Sequence, residues 1–435
     1  MRIANLIIIL TFSVLVCAPL FSSGFFTSHD GSSHLIKSFY FSKIIFSGHW
    51  PGWVDELNYS LGYPTFYFTY PLPYLLNCFW RLFTVSTVDS LKITLFISTF
   101  ISGLFFFLWG TKIASQKIAL VATIIYLFTP YRFINLYVRM AFGEIIFLGL
   151  LPLTLYLLEK GRFKQLSISF AALLLAHLQL SEIFLPFLIG YVLVRRLNSF
   201  FVIKSWFVGM GLSAFFWLPA VVLLPLTKFS TVAQFVASHL VTVRQLLYSG
   251  WDFGFSGSGN SDGMSFQIGI VNWLIVCLST ILAFKAKPLA KYFIVIFWLA
   301  VILMTYSPFG FWNLAITQSI QFPWRLLGLA ALITPGLLLF LPKNHKLFLI
   351  GLVIIVLYTN RNHIRINTAE FIHVSDDYFF QTNTTATATP DEFMPVIQDK
   401  SVFINHPIIP VSGVISLFSL AVLVLFKKTY EQIQT

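Results

Sequence analysis

Residues 91–111, LKITLFISTFISGLFFFLWGT, decide the class of fold. A helix rising 1.5 Å per residue needs roughly 20 apolar residues to cross a ~30 Å hydrocarbon core, and this stretch supplies them before the basic turn that holds Lys112 and Lys117. Basic turns after apolar runs mark cytoplasmic loops. The same alternation repeats at Lys160, Arg162 and Lys164; at Arg195, Arg196 and Lys204; at Lys285, Lys287 and Lys291; at Lys343 and Lys346; and at Lys427 and Lys428.

Composition agrees along the whole chain. Of 435 residues, 57% are hydrophobic and 10% charged, with 49 Phe, 17 Tyr and 11 Trp, and the mean hydropathy is +0.82. An average soluble domain is about 25% charged, so a bilayer is the solvent for most of this chain, and a single tail anchor is excluded. The net charge of +12 sits in short loops between apolar runs. That reads as positive-inside topology rather than nucleic-acid binding, which would need a basic stripe with interleaved exposed aromatics. Cys17, Cys78 and Cys277 lie within apolar runs without CxxC spacing, so neither a disulfide framework nor a zinc site is indicated.

With the basic turns and Arg2 placed inside, the spans are 3–23, 91–111, 118–135, 142–158, 166–176, 183–194, 201–224, 268–284, 292–306, 326–341, 347–358 and 408–426. The expectation is an all-α polytopic membrane protein of about twelve transmembrane helices, multi-pass in the cell membrane with both termini cytoplasmic. Residues 1–358 form the bundle with its first outer loop at 24–90, residues 360–407 a small extracytoplasmic segment, and residues 408–428 the final helix. The segment 3–20 lacks an A-x-A site and reads as an uncleaved span. The stretch 63–83 carries Pro64, Pro71 and Pro73, which break the backbone ladder a lipid-exposed helix needs; it reads as re-entrant or interfacial, with a further crossing as the alternative.

The long loops then collect on the outer face, where sites concentrate. Asp30, in Ser28-His29-Asp30-Gly31-Ser32-Ser33-His34, follows the first span and precedes an amphipathic helical pattern (Leu35, Phe39, Ser42, Phe46) expected along the membrane surface. It is either a headgroup-level carboxylate or a helix cap. Trp53, Asp55, Glu56 and Tyr63 lie in a turn-rich loop that reads either as a sugar site, aromatic faces with carboxylates, or as an interfacial aromatic belt. Arg132, Arg139 and Glu144 run against the positive-inside trend; the arginines suit a phosphate, and Arg139 and Glu144 can equally pair with each other. His177 and Glu182 interrupt an apolar hairpin at its outer tip, either as site residues or as polar glue. Trp324 and Arg325 stand at the mouth of a later span. Residues 382–392, TNTTATATPDE, read as a strand or ordered loop returning over the site. No GxGxxG, P-loop, HExxH or GxSxG occurs, which removes nucleotide-driven and zinc-peptidase readings.

The stretches HDGSSHLIK, GHWPGWVDELNYSLGYPTFYFTYPLPY, YVRMAFGE, AHLQLSE, QFPWRLLGLA and TTATATPDEFMPV, in order from about residue 25 to 396, resemble polytopic glycosyltransferases of the GT-C superfamily. More narrowly they resemble bacterial and archaeal membrane proteins labelled 6-pyruvoyl-tetrahydropterin synthase-related, although nothing here has the zinc-binding histidine form of that soluble synthase. The resemblance implies transfer of a sugar from a polyprenyl-phosphate-linked donor to an acceptor on the extracytoplasmic face. Asp30 would be the general base, Arg139 and Arg325 would hold the departing lipid phosphate, and His177 and Glu144 would shape the cavity. His29, His34, Trp53, Asp55, Glu56, Tyr63, Glu182 and Trp324 complete the expected substrate cavity, with Arg132 a further phosphate ligand. No cofactor is implied with certainty: a divalent metal would be supported by a DxD pair in the first outer loop, and that pair is missing. Membrane lipid and the lipid-linked sugar are the expected partners. A transporter or flippase for a lipid-linked glycan, and a non-catalytic envelope assembly protein, are the competing readings.

Overall fold

In a dry environment an apolar segment can satisfy its own backbone only by coiling into a helix, and this chain does so almost throughout. The computed structural model describes residues 2–83, 86–229, 239–256, 263–305, 308–314, 317, 320–341, 346–366, 370–380, 393–396 and 399–425. The stretch 382–392, expected as a returning strand or loop, lies outside the described residues.

The helices are, in order, α1 (Ile3–Val16), α2 (Gly31–Phe46), α3 (Thr65–Phe68), α4 (Leu72–Arg81), α5 (Thr87–Gly110), α6 (Gln116–Leu127), α7 (Pro130–Phe133), α8 (Phe142–Lys160), α9 (Phe163–Ala176), α10 (Leu178–Val194), α11 (Ser199–Leu212) and α12 (Ala214–Leu223). They continue with α13 (Val243–Leu247), α14 (Ile270–Ile281), α15 (Pro288–Thr305), α16 (Leu327–Leu338), α17 (Lys346–Asn360), α18 (Asp376–Phe380), α19 (Lys400–Ile404) and α20 (Ile408–Leu425). Two short strands, β1 (Phe25–Phe26) and β2 (Phe371–Ile372), pair antiparallel, Phe25 opposite Ile372 and Phe26 opposite Phe371.

Among the described residues five helical stretches are long and apolar enough to cross a membrane: Thr87–Gly110, Phe142–Lys160, Pro288–Thr305, Lys346–Ile364 and Lys400–Leu425. Two bent pairs bring the number to seven if each is one span: Gln116–Leu127 with Pro130–Val138, bent by 47°, and Ser199–Leu212 with Ala214–Leu226, bent by 69°. The remaining apolar helices, α1, α9, α10 and α14 among them, are shorter. α4 has 10 residues, about 15 Å at helical rise, half of a crossing. Its prolines explain why: Pro71 precedes it and Pro73 sits in its first turn, where the missing N–H costs nothing.

The core is built on α5 and α8, which pack along each other and against α6 and α9; α14, α15 and α16 pack together beside them, and α11 and α12 lean on α20. Polar clamps tie the helices. Glu159 on α8 accepts from the Arg195 guanidinium (2.8 and 2.7 Å) and from the Tyr191 hydroxyl, which in turn accepts from Trp109 Nε1 at 2.9 Å. Charged groups within such a bundle are retained only where paired.

One expectation changes. α2 is not laid along a surface with one face free: residues 34–42 are all buried. The physical reason is that α4 and α5 pack on it, His34 meeting Tyr74 of α4, and that the chain's distal part returns over its middle. Thr27 N–H donates to Glu370 O at 2.8 Å, the Tyr40 hydroxyl donates to Phe379 O at 3.2 Å, and the Phe39 and Phe379 rings lie 5.4 Å apart. Asp376 then accepts from Arg81 and, at 3.0 Å, from Thr87 N–H. The polar positions of the amphipathic pattern are thus covered by protein.

Candidate functional site

Asp30 occupies the position before the first turn of α2, yet its side chain makes no capping bond. Its backbone is fixed instead: His29 N–H donates to Val138 O at 2.9 Å and Asp30 N–H to Arg139 O at 3.0 Å. The receiving segment is itself irregular. Residues 134–138 form a π-turn, closed by Arg139 N–H on Ile134 O at 2.9 Å, and the buried Met140 has φ +52°. Side chains rarely occupy that left-handed region, and holding one there costs roughly 1–3 kcal/mol. Distortions of this kind cluster at functional positions. At Gly31 a Cβ would run into Ser28 Oγ, so a larger residue after Asp30 would make the Ser28 side chain turn aside.

Among the described residues no hydrogen bond reaches the Asp30 carboxylate. It is half-buried, and burial raises its proton affinity above the ordinary carboxylate value; the charges of Arg139, Lys37 and His29 oppose that rise and Glu144 adds to it. Lys37 is two helical turns along α2 and 8% exposed. His34, one turn along, is buried and meets the Tyr74 hydroxyl at 2.6 Å through Nδ1; burial, with Lys37 adding to it, keeps its imidazole well below the usual range and therefore neutral. Tyr70 and Tyr74 form the wall opposite, their phenols raised chiefly by burial with Asp30 contributing. Gly143 allows that wall to close, since a Cβ there would meet both the Tyr70 ring and Ala176 O at 2.5 Å.

Behind this crevice lies a buried ion cluster. Glu144, 1% exposed, accepts from Tyr131 Oη (2.8 Å), Asn135 Nδ2 (3.2 Å), Arg139 Nη1 (2.9 Å) and Nη2 (2.8 Å), and Arg325 Nε (3.0 Å). Arg139 Nη1 also donates to Asn135 Oδ1 at 2.7 Å, and Arg325 Nη1 to Gln179 Oε1. Two guanidiniums against one carboxylate leave one positive charge. Trp324 caps Arg139, its ring 4.5 Å from the guanidinium carbon, and stacks on Phe322 at 4.9 Å. The buried Trp324 Nε1 and Ser28 Oγ find no hydrogen-bond partner among the described residues. His177 lies flat on Tyr70 at 5.1 Å and caps α10 by accepting from Leu180 N–H at 3.2 Å; burial, with Arg325 adding to it, pushes its imidazole down to about 3.

Eight of the sequence-predicted residues, His29, Asp30, His34, Arg139, Glu144, His177, Trp324 and Arg325, are therefore joined by these contacts into one site. The other six are placed elsewhere. Glu56 pairs with Lys43, 13 residues beyond Asp30 along α2 and so roughly 20 Å away at helical rise. Asp55 pairs with Lys400 at 2.7 Å. Trp53 packs on Phe403 at 5.6 Å, and Tyr63, fully buried, bridges Val54 and accepts from Phe393 N–H at 2.9 Å. That loop is a packed scaffold, turned by Asn58, Tyr59 and Ser60 with φ of 56°, 57° and 62°. Arg132 faces away: it lies 4.5 Å from the Tyr126 ring and lines a small cavity with Val16, Thr99 and Asn135. Glu182 is exposed on α10.

Lys37, Tyr70, Tyr74, Asn135 and Gln179 belong to the site and were not among the expected residues. Lys37 had a signal, its i+7 spacing from Asp30, which returns to the same helix face. Among the described residues, no three His, Cys, Asp or Glu side chains are grouped as metal ligands would be. No protein-family model matches the chain, and no curated protein matches it.

Proposed function

We propose that this protein is a membrane glycosyltransferase that moves a sugar from a polyprenyl-phosphate-linked donor to an acceptor on the extracytoplasmic face, with Asp30 as general base. The reading takes the shorter apolar helices as further crossings, about twelve in all, with both termini cytoplasmic and the Asp30 crevice outside. It rests on one observation above the others: a half-buried carboxylate that receives no hydrogen bond among the described residues lies within electrostatic reach of Arg139 and Lys37, with its proton affinity raised by burial.

The chemistry follows from that arrangement. An acceptor hydroxyl gives its proton to Asp30 as its oxygen attacks the anomeric carbon, the bond from that carbon to the phosphate oxygen breaks, and the lipid phosphate leaves with the electron pair. Charge grows on the phosphate during the step, and fixed cations in a poorly solvated site stabilise it strongly. Arg139 and Arg325 share their charge with Glu144, so the residual positive charge of that cluster, together with Lys37, takes this role; Arg132, on the far side of Asn135, does not. A carboxyl whose proton affinity lies above the ordinary range is better matched to general-base work at neutral pH.

The test is transfer of label from a polyprenyl-phosphate sugar in membranes carrying the wild type or Asp30→Asn. Loss of transfer with unchanged protein level is the expected result. Transfer that survives the substitution removes the catalytic assignment, and the site then passes to transport of a lipid-linked glycan.

A further inference from the structure

Arg132 carries a charge that no carboxylate answers among the described residues: Asp55, Glu56, Glu144, Glu159 and Asp376 pair with other cations, and none of these pairs includes it. Its Nε is buried without a hydrogen-bond partner there. The Tyr126 ring, 4.5 Å from the guanidinium carbon, offers the cation a π face but no counter-charge. The same side chain lines a cavity with Thr99, Asn135 and the apolar Val16, Leu136 and Leu148. Thr99 lies midway along the 24-residue α5, about 18 Å from either end at helical rise. At that depth in a helix long and apolar enough to cross a membrane, an ionised side chain is costly without a partner.

The charge around the cavity has one sign. Asn135, on its wall, accepts from Arg139 at 2.7 Å and donates to Glu144 at 3.2 Å, so the cavity backs onto the ion cluster and its residual positive charge. Arg132 adds a second. A water in the cavity solvates these charges, whereas an anion also compensates them. Size and depth select the anion. The cavity measures about 10 Å³, room for one atom-sized group, which excludes a phosphate or a carboxylate, and its depth takes it out of reach of lipid headgroups. We infer that this cavity is a binding site for one small halide ion, held by the Arg132 guanidinium. The site owes nothing to the transferase reading, since Arg132 stands on the far side of Asn135 from the Asp30 crevice.

The experiment is thermal unfolding of the full chain in detergent, with chloride exchanged for gluconate at constant ionic strength so that screening stays fixed. Gluconate is too large for the cavity. A ligand that binds only the folded state stabilises it in proportion to the logarithm of its concentration above Kd, so a change from about 1 mM to about 300 mM chloride is expected to raise the melting temperature by roughly 2–5 °C. Arg132→Met removes the charge and is expected to abolish that response, while Asp30→Asn keeps it, which leaves the fate of the transferase reading to the transfer assay. Anomalous scattering from wild-type crystals grown in bromide locates the ion directly, including the case in which Arg132→Met fails to fold, and a peak beside Arg132 is expected. A melting temperature indifferent to chloride, a response that Arg132→Met retains, or a bromide map without a peak at Arg132 overturns the inference and leaves the cavity to a single water. A peak without a thermal response marks an adventitious ion only and overturns it equally.

Discussion

Two groups of carboxylates in the same first loop meet opposite fates. Asp55 and Glu56 are well exposed, 64% and 42% at the side chain, and each holds a lysine; Asp30 is half-buried and its carboxylate holds no partner among the described residues. A pair in water is worth about 0–1 kcal/mol, so the first two are interchangeable fastenings that tie Lys43 and Lys400 to the loop. Asp30 has surrendered part of its solvent without gaining a bond among the described residues. The difference teaches that aromatic residues beside acids in the sequence need not join them in space: Trp53 packs on Phe403 and Tyr63 meets Val54 and Phe393, while the fastened acids hold exposed lysines.

The sharpest way to break that contrast is substitution. Asp30→Asn is expected to lower sugar transfer by about 10²–10⁴-fold, the usual contribution of a positioned base, while Asp55→Asn combined with Glu56→Gln changes it by less than about threefold; a membrane transfer assay reads both. Next in size is Glu144→Gln, which strips the compensating charge from two buried guanidiniums and is expected to destabilise the fold by roughly 3–5 kcal/mol. Thermal unfolding in detergent checks it, and adding Arg139→Leu recovers part of the loss by removing one unmatched charge.

The pH dependence sharpens the comparison further. Asp30 must be ionised to accept a proton, and burial raises its carboxyl, so the acid limb of the rate profile is expected above the ordinary value of ~3.9. The same shift has a stability sign. A folded-state affinity raised above the unfolded one favours the fold below the raised value and penalises it as pH rises through it. Asp30→Asn is therefore expected to raise the melting temperature at pH 7, with the gain vanishing below pH ~3.9, where both states are protonated. Smallest is Lys400→Ala: it frees Asp55 in water, and a chemical-denaturation series is expected to show a loss no larger than about 1 kcal/mol.

Much of the site could be read from sequence because ionisable groups in an apolar chain must be accounted for. HDG, YVRMAFGE, AHLQLSE and QFPWRLL each deliver a member of the cluster around Glu144 or of the Asp30 crevice. The alternative raised for Arg139, that it pairs with Glu144, is what the geometry shows, joined by Arg325 from 181 residues away. Tyr70 and Tyr74 stayed hidden because a tyrosine in a proline-rich apolar stretch carries no charge that demands a partner. The burial of α2 was hidden for a different reason. Its spacing defines one apolar face, and only the packing of α4 and α5 together with the return of residues 370–380 shows what covers the rest. The helices shorter than a full crossing have a local cause in some cases, as at α4, where proline sets the start of the helix.

The pairing of β1 with β2 also orders events in time. Thr27 receives Glu370 N–H across 343 residues of chain, and Tyr40 reaches Phe379 across 339. Contacts of such separation form late, after the loop between them has closed, and a chain made from its N-terminus presents the distal partner long after the proximal one. The corner that holds Asp30 is therefore unfinished while the ribosome is still at work. A nascent or truncated chain that ends before residue 370 carries every residue of the ion cluster and lacks the clasp over α2, so that clasp closes only once residues 370–380 have been made.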